Sequence, residues 1–380
     1  MRPTRVDAAR ALGWRLGRQA LGAPLGSVAE VVHRVLAMRA WPADLADLAV
    51  RVRQSDPRPG GLERALGDGE LVRSHAFRGG SYVFTHAHAA DLLAVRTATR
   101  IWETRRWQRQ GGFEVDDWEP LRDAVRTALA DGPLTRAEIA ARLEGTPGVR
   151  QLAAAAASGA GADSLYKPLH WWGDICFGPA RDGRATFRRL ADDPRWPGLP
   201  DVDDAGRRAV LGYLGGYGPA TLDNLGYWLT EGLGVPRRRV LDWLADLGDT
   251  VTEVEVDGAA RYLRTDDLEQ VCSAEPSAAV RLLPGFDPWV FGPGTADAGI
   301  ISVRRRPLAS RGSNLVIAGG VVSGSWRLRT DELAVTWFDE AGRVPESRLA
   351  DEVRRLAALR GADLRLAIDP PLPSVGLAGR

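Results

Sequence analysis

The sequence predicts an α+β protein with three tandem winged-helix modules, followed by a small antiparallel β-sheet or barrel that carries a C-terminal helix. Two observations predict this architecture. A pattern of helices followed by a β-hairpin occurs three times before residue 275, and alternating strand-like segments begin near Arg281. We expect the module boundaries at 1–110, 111–195, 196–275 and 276–380.

The clearest module occupies residues 117–190. Its first segment has apolar residues at spacings of three and four and ends at an Asp-Gly-Pro sequence, which stops a helix. Thr135 is followed three residues later by Glu138, a capping box that predicts the start of a second helix. A third helix is expected over 164–172, and a hairpin with its turn at 181–184 follows. Winged helices present their third helix to a DNA groove.

The first module shows the same order of elements. Helices are expected over 4–21, 27–39 and 62–66, and a strand, turn and strand over 71–85. A long helix is then expected over 89–110, where arginines alternate with tryptophans. Basic residues beside aromatics suit a surface that faces phosphates, although a solvated face over core tryptophans is the alternative interpretation.

A third module follows a proline-rich linker at 194–200. Helices are expected over 205–214, 222–229 and 236–244, and an Asp-Gly turn inside 250–263 predicts the wing. The final module is expected to be antiparallel sheet with one helix laid on it. Its expected strands are 299–303, 314–318, 321–328 and 333–338, with a helix over 344–360 and a last strand over 364–368.

The composition describes an ordinary globular protein. The 380 residues include 44% hydrophobic and 26% charged residues, and the formal net charge is +1. A strongly basic DNA-binding domain is therefore excluded, and any basic surface must be local. The two cysteines form no metal-ligand or redox pattern, and no apolar run is long enough for a membrane span. We expect a cytoplasmic protein that does not associate with membranes.

Four short sequences, taken in order, resemble the winged-helix family that contains the azinomycin-resistance DNA glycosylase. They are Arg78-Gly79-Gly80-Ser81-Tyr82, Tyr217-Gly218-Pro219-Ala220-Thr221-Leu222, Leu282-Leu283-Pro284-Gly285-Phe286-Asp287-Pro288 and Gly320-Val321-Val322-Ser323-Gly324-Ser325-Trp326. The similarity extends from about Thr4 to Ile368. It implies three winged helices around a concave DNA-binding face, a β-barrel, DNA as the partner, and neither metal nor cofactor.

The family's glycosylases carry a Gln-x-Gln or Gln-x-Asp motif that positions the attacking water, and in this sequence Arg39 and Trp41 occupy its two polar positions. A guanidinium has no acceptor lone pair and an indole N–H only donates, so neither can orient a water as the motif requires. The same two residues suit DNA contact, by phosphate or guanine binding and by base stacking. Asp44 or Asp47 is an alternative base, although acidic residues after a helix are usually solvated.

Candidate DNA-binding residues come from the first wing, the long helix, the presumed recognition helices, the central wing and a basic loop of the last module. They are Arg78, Tyr82, His86, Arg105, Arg106, Tyr166, Lys167, His170, Arg184, Arg237, Arg238, Arg304, Arg305, Arg306 and Arg311. For each of them a solvated or core position is the alternative interpretation.

Two other chemistries were weighed and disfavoured. His86 and His88 could form a metal pair, but zinc normally needs at least three protein ligands and none follows closely. Lys167 could act as a Schiff-base nucleophile, but an exposed lysine keeps a pKa that is too high for that role.

Two functional hypotheses follow from these residues. The favoured one is a monomeric protein that binds duplex or damaged DNA without excising a base, because Arg39 and Trp41 lack acceptors. The alternative is a monofunctional DNA glycosylase that removes bulky alkylated or crosslinked bases by attack of water on the sugar carbon.

Overall fold

The protein is described by a computed structural model that covers residues 3–370. It is an α+β structure with four β-sheets among these residues, three of three strands and one of five. We describe the chain in four parts: an N-terminal unit (residues 3–110), a central unit (111–195), a third unit (196–275) and a C-terminal unit (276–370). The C-terminal unit contains the five-stranded sheet. The sequence-based assignment to the α+β class is confirmed.

The N-terminal unit contains the predicted hairpin after its helices, but also a fourth helix (Ala43–Arg51) and two short strands (Thr4–Val6 and Met38–Arg39) that the sequence did not predict. Its elements are β1 (Thr4–Val6), α1 (Ala8–Arg18), α2 (Val28–Arg34), β2 (Met38–Arg39), α3 (Ala43–Arg51), α4 (Gly61–Gly67), β3 (Val72–His75) and β4 (Ser81–Phe84). The capping box of Ser27 and Glu30 begins α2 as expected. The expected helices over 4–21 and 27–39 are both too long. Residues 4–6 form a strand, and Leu36, with φ of 65°, turns the chain so that Met38 and Arg39 pair with β4.

The long helix expected over 89–110 is broken into α5 (His86–Thr97), a 3-10 turn (Ile101–Glu103) and α6 (Arg105–Gly111). The break lies at Arg100, whose φ of 49° is incompatible with a continuous helix. The turn buries Trp102 against Trp172, with ring centroids 4.6 Å apart. The packing of Trp102 in the core therefore interrupts the helix that the sequence pattern over 89–110 predicts.

The central unit confirms the predicted capping box and hairpin. Its elements are α7 (Trp118–Ala128), β5 (Leu134–Thr135), α8 (Arg136–Glu144), α9 (Ala153–Ala157), α10 (Gly159–Trp171), β6 (Ile175–Phe177) and β7 (Thr186–Arg189). Thr135 and Glu138 cap α8 reciprocally. Asp182 and Gly183 have φ of 50° and 71°, the values that a tight hairpin turn requires.

The third unit contains a π-helical segment (Gly226–Gly232) between two α-helices. Its elements are α11 (Val202–Tyr217), α12 (Leu222–Leu225), α13 (Arg237–Asp246), β8 (Val251–Val256), β9 (Ala259–Arg264) and α14 (Leu268–Ser273). The sheet has the order β1-β8-β9, and β1 pairs with β8 in parallel. The first strand of the chain thus completes the sheet of the third unit.

The C-terminal unit is a five-stranded sheet with one long helix against it. Its elements are β10 (Val280–Leu283), α15 (Pro288–Phe291), α16 (Arg306–Ser310), β11 (Leu315–Ala318), β12 (Val321–Arg329), β13 (Glu332–Trp337), α17 (Glu346–Arg360) and β14 (Arg365–Asp369). The sheet was predicted to be antiparallel throughout, and its first four strands are. The last strand, β14, instead pairs with β13 in parallel, because α17 returns the chain to the same end of the sheet. The strand expected over 299–303 is absent. Ile300 and Ile301 are instead buried in the apolar core of this unit, and a 3-10 turn (Val303–Arg305) follows them.

The units are packed together over extended apolar cores. One cluster of buried residues extends from Leu36 in the N-terminal unit to Trp243 in the third unit, and another joins Leu16 of α1 to the five-stranded sheet. Arg53 and Asp287 add an ion pair between the N-terminal and C-terminal units, with side chains only 0% and 2% exposed. These contacts bring residues 38–42 against the loop that precedes α15.

Candidate active site and DNA-binding surface

Arg39 lies on β2 directly opposite Tyr82 of β4. Its Nε donates a hydrogen bond to the carbonyl of Trp41 at 3.0 Å, and its guanidinium lies 4.0 Å from the centroid of the Phe286 ring. Within residues 3–370 no carboxylate forms an ion pair with Arg39. The guanidinium is therefore held in place by a stacked ring and a local turn, while its charge is not neutralised.

Phe286 is fixed by unusual backbone geometry. Its φ of 63° is in the left-handed region, which a bulky residue rarely adopts and which is typical of functional sites. The next residue, Asp287, accepts a hydrogen bond from the Trp289 amide at 2.8 Å and binds Arg53 through both carboxylate oxygens at 2.8 and 2.6 Å. A side chain at Gly312 would meet the Phe286 ring at 2.2 Å, so the ring is also enclosed closely.

Beside Arg39 lies an open cleft with a volume of about 290 Å³, which we call the aromatic cleft. The side chains that line it include Arg39, Phe77, Arg78, Tyr82, Tyr227, Glu231 and Phe291. A narrower recess shares five of these residues and is closed by Phe286, Tyr217 and Trp228. Aromatic rings with a few fixed polar groups are the usual lining of a site for a flat organic group such as a nucleobase.

The π-helical segment supplies two of these lining residues, Tyr227 and Glu231. π-helical turns are rare in proteins, but those that occur are often found at functional sites. Arg78 is bound to this segment by three contacts: its guanidinium lies 4.1 Å from the Tyr227 ring centroid, donates to the Tyr227 carbonyl at 3.1 Å and approaches the Glu231 carboxylate at 3.6 Å. A side chain at Gly232 would come within 2.8 Å of the Phe77 ring, so this segment packs closely against the cleft.

The tyrosines of the cleft keep their phenolic protons. Burial raises the pKa of Tyr82, and the guanidinium groups of Arg39 and Arg78 oppose this shift only in part. Burial likewise raises the pKa of Tyr227. Both hydroxyl groups can therefore donate hydrogen bonds at neutral pH, and neither is suited to act as a base.

Trp41 is the most exposed large apolar side chain among residues 3–370, with 66% of its surface accessible. It is joined to Pro42 by a cis peptide bond, and its carbonyl is held by Arg39. Its indole is therefore free to stack on a partner.

The acidic residues proposed as substitute bases do not line the aromatic cleft. Asp44 and Asp47 line a different cavity, together with Leu62 and Arg73. Asp47 accepts hydrogen bonds from the amides of Gly60 and Leu62, both at 3.3 Å, and so fixes the start of α4. The hypothesis that Asp44 replaces the missing acceptors at Arg39 is therefore not supported by its position.

Four predicted DNA contacts are buried, which removes them from the surface available to a duplex. Tyr166 and His170 turn into the core of the central unit, where they pack against Phe187. His86 lies 3.2 Å from Asp193, and Arg305 is bound to Glu340 through two hydrogen bonds of 3.0 Å. These side chains were misassigned because the residue type and the helical position do not reveal which face is buried.

Two further candidates are half-buried. Lys167 pairs with Asp163 at 3.2 Å, and Arg306 donates to the Ala296 carbonyl at 2.7 Å. The remaining candidates on exposed positions are Arg78, Arg105, Arg106, Arg184, Arg237, Arg238, Arg304 and Arg311, and half-buried Tyr82 lines the cleft. Of these arginines, all except Arg78 and Arg237 lack an acidic partner among the described residues. Within the candidate set, these six arginines are exposed and are not paired with a described carboxylate, so they can bind phosphate.

The described residues contain no group of three or more His, Cys, Asp and Glu side chains that could hold a metal ion. His88, one half of the weighed metal pair, instead stacks on His33 with ring centroids 4.6 Å apart. In the same part of the chain, no helix has the length and apolar character that a membrane crossing requires.

Sequence reasoning missed Tyr227, Glu231 and Phe291. Phe286 lies inside one of the quoted sequence motifs, but nothing in that motif indicates that its ring would support Arg39. The local sequence pattern does not indicate that Glu231 would line the cleft, because a π-helical turn changes the helix face on which a side chain lies.

Comparison with known proteins identifies a DNA glycosylase family for this chain. Residues 32–359 match the model of the family described as DNA glycosylase AlkZ-like, and the chain belongs to that family. It is 31% identical over 355 residues to an interstrand DNA cross-link repair glycosylase of Streptomyces sahachiroi, a match that covers 92% of this chain and 95% of the relative.

The solved structure of the Streptomyces sahachiroi DNA glycosylase AlkZ superimposes on this chain with a TM-score of 0.91 and 29% sequence identity. The match covers 96% of this chain and all of the other. The resemblance inferred from the four short motifs is thus confirmed. The comparisons favour the glycosylase hypothesis over the expectation of a protein that only binds DNA.

Proposed function

We propose that this chain is a monofunctional DNA glycosylase that acts on bulky alkylated or crosslinked bases in duplex DNA. The observation that carries this proposal is the aromatic cleft, where Arg39 and Arg78 are each held by a stacked ring. Such a cleft can accept a base that has left the helical stack and can hold it between rings. The cross-link repair role printed for the Streptomyces sahachiroi relative supports a bulky lesion as the substrate.

The surrounding surface fits a duplex that is bound through its phosphates. We propose that the N-terminal, central and third units, residues 1–110, 111–195 and 196–275, are winged-helix modules of one monomeric DNA-binding protein, with the C-terminal unit at 276–380. Arginines without acidic partners occur on α6, on the β6–β7 turn, at the start of α13 and near α16. Each would replace a counterion on a phosphate.

Within this proposal Arg39 and Trp41 are substrate-binding residues. The guanidinium of Arg39 suits a flanking phosphate or the acceptor edge of a guanine. The exposed indole of Trp41 suits stacking in the space that the displaced base leaves. Neither residue supplies a lone pair to the attacking water.

A second candidate function is recognition of damaged DNA without excision. The replacement of both polar motif positions by Arg39 and Trp41 favours it, because the chemistry that the family assigns to those positions is missing. Both functions predict tight binding of lesion-bearing duplex, so the release of a base separates them.

The test is single-turnover incubation with a duplex that carries one N7-alkylguanine, and with a duplex crosslinked by a bifunctional alkylating agent. Base release is scored by alkali-induced strand cleavage and by chromatography of the free base. Excision by the wild-type chain supports the glycosylase proposal. Tight binding without release supports recognition alone, and the variant with Gln at both Arg39 and Trp41 then asks whether the scaffold regains excision.

A further inference from the structure

The reaction at the aromatic cleft lacks an obvious proton acceptor. Hydrolysis of an N-glycosidic bond places positive charge on the sugar and requires a group that receives a proton from the attacking water. Arg39 and Trp41 cannot do this, and the raised pKa values of Tyr82 and Tyr227 disfavour both phenols. If the chain is a glycosylase, the acceptor must come from another residue.

Glu231 is the one carboxylate among the described residues that line the cleft. Its side chain is 67% exposed, so a bound substrate can reach it. The other nearby carboxylates already have structural roles or lie elsewhere. Asp287 is buried against Arg53, and Asp44 and Asp47 line a different cavity.

The position of Glu231 is set by the elements around it. The π-helical segment carries it, and the close fit between Gly232 and Phe77 holds that segment against the cleft. Arg78 lies 3.6 Å from the carboxylate and is itself fixed on the Tyr227 ring and carbonyl. A single ion pair of this length leaves lone pairs on both carboxylate oxygens for a water or a sugar.

We propose that Glu231 is the catalytic carboxylate of this chain. It accepts a proton from a water molecule whose oxygen forms a bond to C1′ of the damaged nucleotide. The bond between C1′ and the base nitrogen breaks, and its electron pair leaves with the base. An N7-alkylated purine, which is cationic in DNA, departs as a neutral molecule, and the negative charge of Glu231 stabilises the cationic sugar in the transition state. This inference rests on the proposed function.

The test compares the full-length wild-type chain with Glu231→Gln and Glu231→Asp on the N7-alkylguanine duplex. Glu231→Gln should lower the single-turnover excision rate by roughly 100-fold or more, while Kd for the same duplex changes by less than about threefold. Glu231→Asp keeps the carboxylate and should retain part of the rate. Glu269→Gln, which removes an exposed carboxylate on α14, should excise at the wild-type rate.

The outcomes separate this inference from the proposed function. Excision by Glu231→Gln at the wild-type rate overturns the role of Glu231 but leaves the glycosylase proposal intact. No base release by the wild-type chain overturns both. If Glu231→Gln binds DNA poorly, the rate at saturating protein decides: a normal rate at saturation overturns the catalytic role, and a rate that stays depressed supports it.

Discussion

Arg53 and Arg39 both belong to the N-terminal unit, and they contact consecutive residues of the loop before α15. Arg53 is fully buried and binds the Asp287 carboxylate through two hydrogen bonds. The Arg39 guanidinium lies over the neighbouring Phe286 ring, 4.0 Å from its centroid, and meets no carboxylate within the described chain. The comparison shows that two arginines meet the same loop in different ways: one joins two units through a buried ion pair, and the other keeps an unneutralised charge beside the cleft.

The largest expected effect is on the buried pair. Arg53→Met leaves the buried Asp287 carboxylate without its cationic partner, with only the Trp289 amide among the described residues still bonded to it, and should lower the free energy of unfolding by about 3–5 kcal/mol. Urea denaturation measures this loss. Arg58→Gln, which breaks a pair with Asp56 in which both side chains are exposed, is the control and should cost no more than about 1 kcal/mol. Equal losses in the two variants would contradict the structural role of Arg53.

His75 and His170 extend the comparison, because both imidazoles are buried without an ion-paired carboxylate among the described residues and burial lowers the pKa of each. Burial first, and then the charge of Lys167, lower the pKa of His75 to about 4. Between an unfolded pKa near 6.5 and a folded pKa near 4 the unfolded chain binds the proton more strongly. His75 alone should therefore remove about 2 kcal/mol of stability as the pH falls from 7 to 5.

Urea denaturation at a series of pH values measures this loss, and His75→Phe should flatten the dependence between pH 6.5 and 5. An unchanged slope in the His75→Phe variant would show that other groups, not this imidazole, control stability in acid.

Trp41 tests a side chain that, unlike Arg53, is exposed and is expected to affect DNA binding but not stability. Trp41→Ala should leave the unfolding free energy within about 0.5 kcal/mol, because the indole is exposed, but it should weaken binding of lesion-bearing DNA by about 1–3 kcal/mol through lost stacking. Fluorescence of 2-aminopurine beside the lesion reports the stacking. Ile368→Ala, at another exposed apolar position, is the control and should bind like the wild type.

A small effect on stability is also expected at Arg39 itself. Arg39→Gln loses the stacking on Phe286, which is worth about 0.5–1 kcal/mol, and leaves no charge buried. Its consequence for DNA binding should be larger: the slope of log K against log salt concentration should fall by about one unit if Arg39 binds a phosphate. An unchanged slope would assign Arg39 to the base and not to the backbone.

The sequence predicted the parts of the fold whose signals are local. Thr135 with Glu138 marks a helix start because both side chains bond within four residues, and the Asp182-Gly183 turn needs only its own backbone angles. The break at Arg100 and the burial of His170 depend on packing against distant aromatic residues, which no local pattern contains.

The candidate site divides in the same way. The replacement of the motif by Arg39 and Trp41 was visible in the sequence, and the structure places Arg39 on the cleft. The positions of Phe286 and Glu231 at the site could not be predicted from the sequence. Phe286 is placed by a positive φ angle, and Glu231 is placed by a π-helical turn. Both features arise from tertiary packing, and neither residue type is unusual for its place in the sequence.

The pairing of Thr4–Val6 with β8 links residues that are separated by 250 positions of sequence. During synthesis the leading strand must wait until the ribosome has made the third unit before it finds its partner, so this sheet should be among the last to form. A fragment that contains the third unit alone would expose the edge of β8, and a second copy could add a strand there. The third unit therefore cannot be isolated with its sheet complete, because one of its three strands comes from residues 4–6.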